Sequence, residues 1–219
     1  MAKMYNLNMT RTEVFNNTFV ISLPHRFDRR HDVQLEMNKH NIEFEFFDAV
    51  NGHELAYDFP LKKGEEGIRQ SHIQIYKNCI SQNEESVMIF EDDVELTENF
   101  NEELEAALKL LDFEPDMFYL GASHHVKPDH IGGNLYKAKF AFTAHALYIP
   151  RRMFVPLIDV IEKNPHLPID VVYANIQRQV NAYAVYPHLA WQKNSYSDIQ
   201  NDFVDYSFLK KEFVRFELQ

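Results

Sequence analysis

Residues 86–93 read Ser-Val-Met-Ile-Phe-Glu-Asp-Asp. Ser86–Phe90 is an apolar run of strand length, and it reads as the clearest buried strand in the chain. It runs straight into Glu91, Asp92 and Asp93. Strands buried on both faces belong to mostly parallel sheets covered by helices. In such sheets ligands bind at the carboxyl ends of the strands, which is where the three acids stand.

Outward from this stretch, strand-like and helix-like segments alternate, which predicts a single α/β domain. Phe19–Leu23 reads as a strand ended by Pro24, and Asp28–His40 as a polar helix with Val33 and Met37 on one face. Glu43–Val50 alternates and stops at the Asn51-Gly52 turn signal. Gly67–Gln82 carries Ile68, Ile75 and Cys79 at helical spacing. Asn99–Leu111 and Met153–Glu162 read as helices, and Met117–Leu120, Ala141–Ile149 and Ala182–Tyr186 as strands. The tail Tyr206–Phe216, mixing Phe with Lys and Arg, is predicted to be helical. These segments give one domain over residues 1–219, with a core of about 18–200 and a helical tail over 201–219.

Composition narrows the function classes. The chain has 219 residues, is 45% hydrophobic and carries a formal net charge of -11. That acidity disfavours nucleic-acid binding, since phosphate affinity comes mainly from Lys and Arg. A phosphate-bearing ligand would need a local basic group or a metal ion. A lone cysteine, Cys79, excludes an internal disulfide and a cysteine-rich zinc module. No run reaches the ~20 apolar residues of a membrane span, and the opening MAKMYNLNMT lacks an apolar signal core. The expectation is therefore a soluble, cytoplasmic protein with no integral membrane segment. No P-loop and no G-x-S-x-G elbow is present.

Three groups of residues could carry chemistry. Adjacent carboxylates at 91–93 repel one another unless a cation or hydrogen bonds compensate. They form either a solvated acidic turn or a site for a hard divalent ion such as Mn²⁺ or Mg²⁺, which takes oxygen ligands from one or two carboxylates plus phosphate. Gly64-Glu65-Glu66-Gly67-Ile68-Arg69-Gln70-Ser71-His72 enters a helix whose free N–H groups suit an anion; Ser71 and His72 there are either ligand contacts or a packed helix start. Arg26, Arg29 and Arg30 follow the first strand, where a nucleotide would lie, and arginine grips phosphate in a bidentate way. They read either as one ligand contact among three or as a solvated helix start.

Several segments together resemble glycosyltransferase family 25, the lipopolysaccharide-type and procollagen-type galactosyl- and glucosyltransferases. FVISLPHRFDRR resembles its opening strand and Arg-rich loop, and FEFFDAVNG its second strand and turn. GEEGIRQSH resembles its Gly-x-x-x-Ser-His element, and SVMIFEDDVEL its strand with Glu-Asp-Asp. PIDVV and AVYPHLAWQKNSYSDI resemble its late acidic and Pro…Gln…Ser-Asp-Ile segments. The resemblance covers about residues 18–200. Ile68 departs from it, standing where the family usually has cysteine, and Phe142 stands where a small residue is usual.

The resemblance implies a GT-A-like fold and a metal-dependent, inverting transfer of galactose or glucose from a UDP-sugar to a hydroxyl of a glycan or protein. It implies Asp93 as metal ligand and Asp92 as a second ligand or donor contact. Glu91 would reach the ribose or the sugar. Arg26, Arg30 and Asn51, with Ser71 and His72, are the further donor-binding candidates. Asp170 is the candidate base or acceptor-binding group, with a helix N-cap as its alternative. His188 is an extra metal or phosphate contact candidate, His124 and His125 are read as a loop, and Trp191 as a sugar platform or core filler. A non-catalytic sugar-nucleotide-binding module and another metal-dependent nucleotide-processing enzyme are the competing readings.

Overall fold

The computed structural model describes residues 9–56, 60–197 and 202–205. A short helix α1 (Arg11–Val14) leads into β1 (Thr18–Ser22), α2 (Phe27–Lys39) and β2 (Glu45–Asp48). A 3-10 turn at Gly52–Glu54 precedes α3 (Lys63–Gln82), β3 (Ser86–Glu91), β4 (Val94–Leu96) and α4 (Phe100–Leu108). Then come β5 (Met117–Tyr119), β6 (Ser123–His124), β7 (Asp129–Gly132), β8 (Leu135–Lys137), β9 (Ala141–Phe142) and β10 (Ala146–Pro150). Helices α5 (Phe154–Lys163) and α6 (Ile169–Ile176) precede β11 (Ala182–Val185) and β12 (Ala190–Gln192). Ser195–Ser197 and Asp202–Val204 pair as a short hairpin. The predicted helix over 206–216 lies outside the described residues.

Eight strands form one sheet in the order β2-β1-β3-β10-β5-β11-β8-β7. Only β10 and β8 run against the others, so the sheet is mostly parallel, as the apolar strands predict. Helices cover both faces because successive strand side chains point to opposite sides. Val87 and Ile89 of β3 face α3, α5 and α6, in a cluster with Tyr76, Cys79, Phe154 and Tyr173. Met88 and Phe90 face the other way, towards Val33, Met37, Phe100 and Leu104 of α2 and α4. All four β3 residues are fully buried, and each such side chain contributes roughly 1.5–3 kcal/mol. Val33 and Met37 are buried on α2 as their four-residue spacing predicts.

Two expectations change in detail. The predicted strand Ala141–Ile149 is split into β9 and β10. Thr143 between them has φ 75°, a left-handed conformation that is an outlier for a β-branched residue and cannot continue a strand. Helix α3 begins at Lys63, four residues before the glycine expected to open it. The pairing of β4 with β12 sets Gln192 opposite Val94, next to the acidic residues.

Candidate active site

Parallel strands β1, β2 and β3 end on one side of the sheet, with Ile21 level with Glu91 and Ser22 level with Asp48. Beyond those ends lies a cleft of about 380 Å³. One wall is Ser22, Leu23, His25 and Arg29; a second is Ala49–His53 with Gly64 and Ile68; Glu91, Asp92, Asp93 and Gln192 complete it.

Each acid is held differently. Glu91 donates its backbone N–H to the His145 carbonyl (3.0 Å), and its carboxylate accepts from the Gln192 amide (3.1 Å). Asp92 has both oxygens engaged: Oδ2 accepts from the Ser22 hydroxyl (2.7 Å) and Oδ1 from Arg29 Nη1 (2.7 Å). Asp93 lies 3.5 Å from the same Arg29 nitrogen through Oδ2, while its buried Oδ1 has no hydrogen-bond partner. The backbone carbonyl of Asp93 accepts from Lys193 N–H (2.8 Å).

Burial and mutual repulsion raise the carboxyl groups of this corner. Burial pushes Asp93 up to about 6, with Asp92 adding to the rise and Arg29 opposing it. Glu91 is raised well above the usual carboxylate range by burial, then by the charges of Asp93, Asp170 and Asp92. Asp170, although 77 residues further along than Asp93, therefore shares the electrostatic field of the triplet. It sits in the first turn of α6, where Pro168 rather than Asp170 is the N-cap. Burial pushes it up to about 6, against backbone hydrogen bonds from Thr143 and Ala144. Left-handed Thr143 and its neighbours thus tie Asp170 on one side to Glu91 on the other.

The other predicted residues separate into those in the cleft and those behind it. Asn51 lines the cleft, where its side chain accepts from His53 N–H (3.1 Å) and donates to Glu54 (2.8 Å), fixing the turn. Ser71 is buried behind that loop, accepting from Val50 N–H (2.9 Å) and donating to the Gly67 carbonyl (2.8 Å). His72 is fully buried, its Nδ1 2.9 Å from the Tyr173 hydroxyl, which is itself 2.6 Å from that of Tyr76. Burial holds His72 down to about 3, so it is neutral. Arg26 makes a fork with Asp28 (3.0 Å to each oxygen). Arg30 donates to the Ser22 carbonyl (2.9 Å) and to Asp48, bracing the ends of β1 and β2. Neither Arg26 nor Arg30 lines the cleft. His188 accepts from Ala122 N–H through Nδ1 (3.4 Å) and stacks near His124. His124 closes strand β6, paired with Ala141.

Arg29 is the residue sequence reasoning passed over. Three arginines stand within five positions, and only the docking of α2 decides that the middle one turns to β3. Gly67 lies inside α3 rather than at its start. A Cβ there would lie 2.5 Å from the Val50 carbonyl oxygen and 3.0 Å from Gly52 N. The glycine lets α3 touch the Asn51 loop. Gly67→Ala is therefore expected to lower stability by about 1–3 kcal/mol through overpacking, read by denaturant unfolding.

A divalent cation can be tested against these donors. Asp93 Oδ1, buried and unpartnered, fits one ligand position. Each Asp92 oxygen already accepts one hydrogen bond. Among the described residues no three His, Cys, Asp or Glu side chains are grouped to hold an ion. The set suits an ion that completes its shell with phosphate oxygens and water, the habit of Mg²⁺-like ions.

Comparison with known proteins follows the same line. The family described as Glycosyltransferase family 25 (LPS biosynthesis protein) matches residues 15–148. The chain is 31% identical to the lipooligosaccharide biosynthesis protein lic2B of Haemophilus influenzae, over 80% of this chain and 75% of that one. It is 32% identical to a probable inactive glycosyltransferase 25 family member 3 of Bos taurus, over 49% of this chain and 22% of the relative. Among solved structures, A197 from STIV aligns with a TM-score of 0.47 at 13% identity, over 80% of this chain and 84% of that one.

Proposed function

Because this chain belongs to glycosyltransferase family 25, we propose that its cleft binds a UDP-hexose and transfers galactose or glucose, with inversion, to a glycan hydroxyl. The observation that carries the reading is the unneutralised carboxylate corner: Asp93 Oδ1 without a partner, and Glu91 and Asp170 in the same field. Buried like charges are costly unless a ligand compensates them. A surface acidic turn would be hydrated instead.

Asp93 would hold Mn²⁺ or Mg²⁺, which supplies Lewis acidity toward the leaving diphosphate when bound. Glu91, fixed by Gln192 and by its own backbone bond to His145, presents a hydrogen-bond acceptor to the donor's hydroxyls. Asn51 and Gly52 shape the wall at the nucleotide end. Asp170 takes the proton of the acceptor hydroxyl as that oxygen attacks the anomeric carbon and the bond to UDP breaks. Its hydrogen bonds from Thr143 and Ala144 fix the carboxylate's orientation. The acceptor is proposed to be a lipooligosaccharide-type glycan, in keeping with the name of lic2B. A cytoplasmic site of action fits a nucleotide-sugar donor, and no described helix is long and apolar enough to cross a membrane.

A second reading is a non-catalytic sugar-nucleotide-binding module, favoured by the relative described as inactive. Incubation with UDP-galactose or UDP-glucose and Mn²⁺ separates the two. Steady UDP release, accelerated by a glycan acceptor, supports transfer. Tight UDP binding with no release from either sugar supports the module.

A further inference from the structure

Helix α6 turns a polar stripe towards the core. Asp170, Tyr173 and the C-cap residue Gln177 are spaced i, i+3 and i+7 and share one face, where a helix normally buries apolar side chains. Tyr173 and Gln177 are both buried. Each of the three finds its partners in a different part of the fold. Asp170 takes backbone hydrogen bonds from Thr143 and Ala144. Tyr173 meets α3: its hydroxyl is 2.9 Å from His72 Nδ1 and 2.6 Å from the Tyr76 hydroxyl. Gln177 accepts from Ala141 N–H (2.7 Å) and donates to the Ala141 carbonyl (2.8 Å) and the Tyr119 hydroxyl (3.0 Å). Among the described residues the contact with Tyr173 is the only hydrogen bond of the His72 ring, whose Nε2 is buried without a partner. Burial raises the Tyr119 and Tyr173 hydroxyls, and the charge of Asp170 adds to both, which sets the base beside this network.

We propose that His72 is a positioning residue for Asp170: through the Tyr173 hydroxyl it fixes the roll of α6, and with it the direction in which the Asp170 carboxylate meets the acceptor hydroxyl. This assignment rests on the reading of Asp170 as the acceptor base. Tyr173 lies one turn beyond Asp170 on the same face, so any roll or slide of α6 moves the two together. Apolar packing alone would hold the helix against the core, but it is non-directional. Hydrogen bonds at 2.6 and 2.9 Å hold only within narrow angles. A buried tyrosine hydroxyl is costly without such partners, and α3 supplies two. The Ser-His pair then serves both sides of the reaction from adjacent positions. Ser71 accepts from Val50 N–H (2.9 Å) and steadies the Asn51 loop of the donor cleft, while His72 steadies the helix of the base.

The test follows UDP release from UDP-galactose and UDP-glucose with Mn²⁺ and a lipooligosaccharide acceptor, beside UDP affinity by calorimetry and a thermal melt. Tyr173→Phe keeps the ring and removes one oxygen, so the protein is expected to stay folded. Its kcat is expected to fall by roughly tenfold to a hundredfold, as a small misplacement of a reacting group does, with UDP affinity unchanged. His72→Leu is expected to behave alike, and His72→Asn, which keeps a polar atom near the Nδ1 position, to lose less. The same Tyr173→Phe change made in Asp170→Asn is expected to leave the residual rate unaltered, because it acts through the base; a general loosening of the core would slow both backgrounds by the same factor. The assignment is overturned if Tyr173→Phe turns over as wild type does, if its loss is equal in Asp170→Asn, if the loss appears as weaker UDP binding, or if the melt collapses, since the hydroxyl would then hold the fold and not the base. A slow Asp170→Asn beside a fast Tyr173→Phe defeats this assignment alone. A fast Asp170→Asn defeats the reading of Asp170 as base.

Discussion

Asp93→Ala is expected to lower hexose transfer by roughly a thousandfold while the protein stays folded. The magnitude follows from losing a cation worth several kcal/mol of transition-state stabilisation, at 1.36 kcal/mol per tenfold in rate. The fold is expected to survive because the partners of the Asp93 side chain, Arg29 and Gln192, are also held by Asp92 and Glu91. The contact that joins it to the β12 end, Lys193 N–H at 2.8 Å, uses its backbone carbonyl. Its carboxylate is raised to about 6, chiefly by burial, so ionising it in place works against the folded state at neutral pH. Alanine removes that cost. Initial rates of UDP release together with a thermal melt check both halves. Near-wild-type turnover in the variant contradicts the role given to Asp93, and a collapsed melt contradicts its structural neutrality.

Asp170→Asn is expected to cut the rate by roughly 10²–10⁴, the range of a lost general base, with UDP affinity unchanged. Asp170 is not among the residues lining the donor cleft, so the nucleotide is expected not to depend on it. The sign of its pH dependence follows from its raised value. A base must be deprotonated, and burial holds Asp170 at about 6, so wild-type turnover is expected to fall as pH drops below 6. The stability sign is opposite. Its folded-state value lies above the ordinary 3.8, so protonation stabilises the fold: the gain is complete below about pH 4 and lost as pH rises through 6. A pH–rate profile beside a pH–melt profile separates the two. A variant that turns over normally but binds UDP poorly shows instead that Asp170 serves the donor.

Much of this was legible in the sequence, for identifiable reasons. Ser86–Phe90 has no polar interruption, so its burial on both faces and its ending in acids could be read directly. Val33 and Met37 marked the inner face of α2 by spacing alone. The interruption at Thr143 was hidden because threonine is a good strand former, and nothing local in the sequence marks its left-handed backbone. Gly67 looked like the opening of a helix, and its packing role was hidden because its neighbour Gly52 is distant in sequence. Ser71 and His72 carry hydrogen bonds inside the fold, to the Asn51 loop and to the Tyr173–Tyr76 pair, a role that spacing cannot distinguish from ligand contact. Which of Arg26, Arg29 and Arg30 reaches the site depends on how α2 sits on the sheet. Neighbouring helix residues point about 100° apart, so the rotation of α2 decides the answer.

The most direct measurement is a calorimetric titration of UDP into the intact protein with saturating Mn²⁺, repeated on Asp93→Ala. The account predicts one UDP per chain in the wild type and a large loss of the metal-dependent part of the affinity in the variant. Equal binding by both proteins, or none by the wild type, would contradict it.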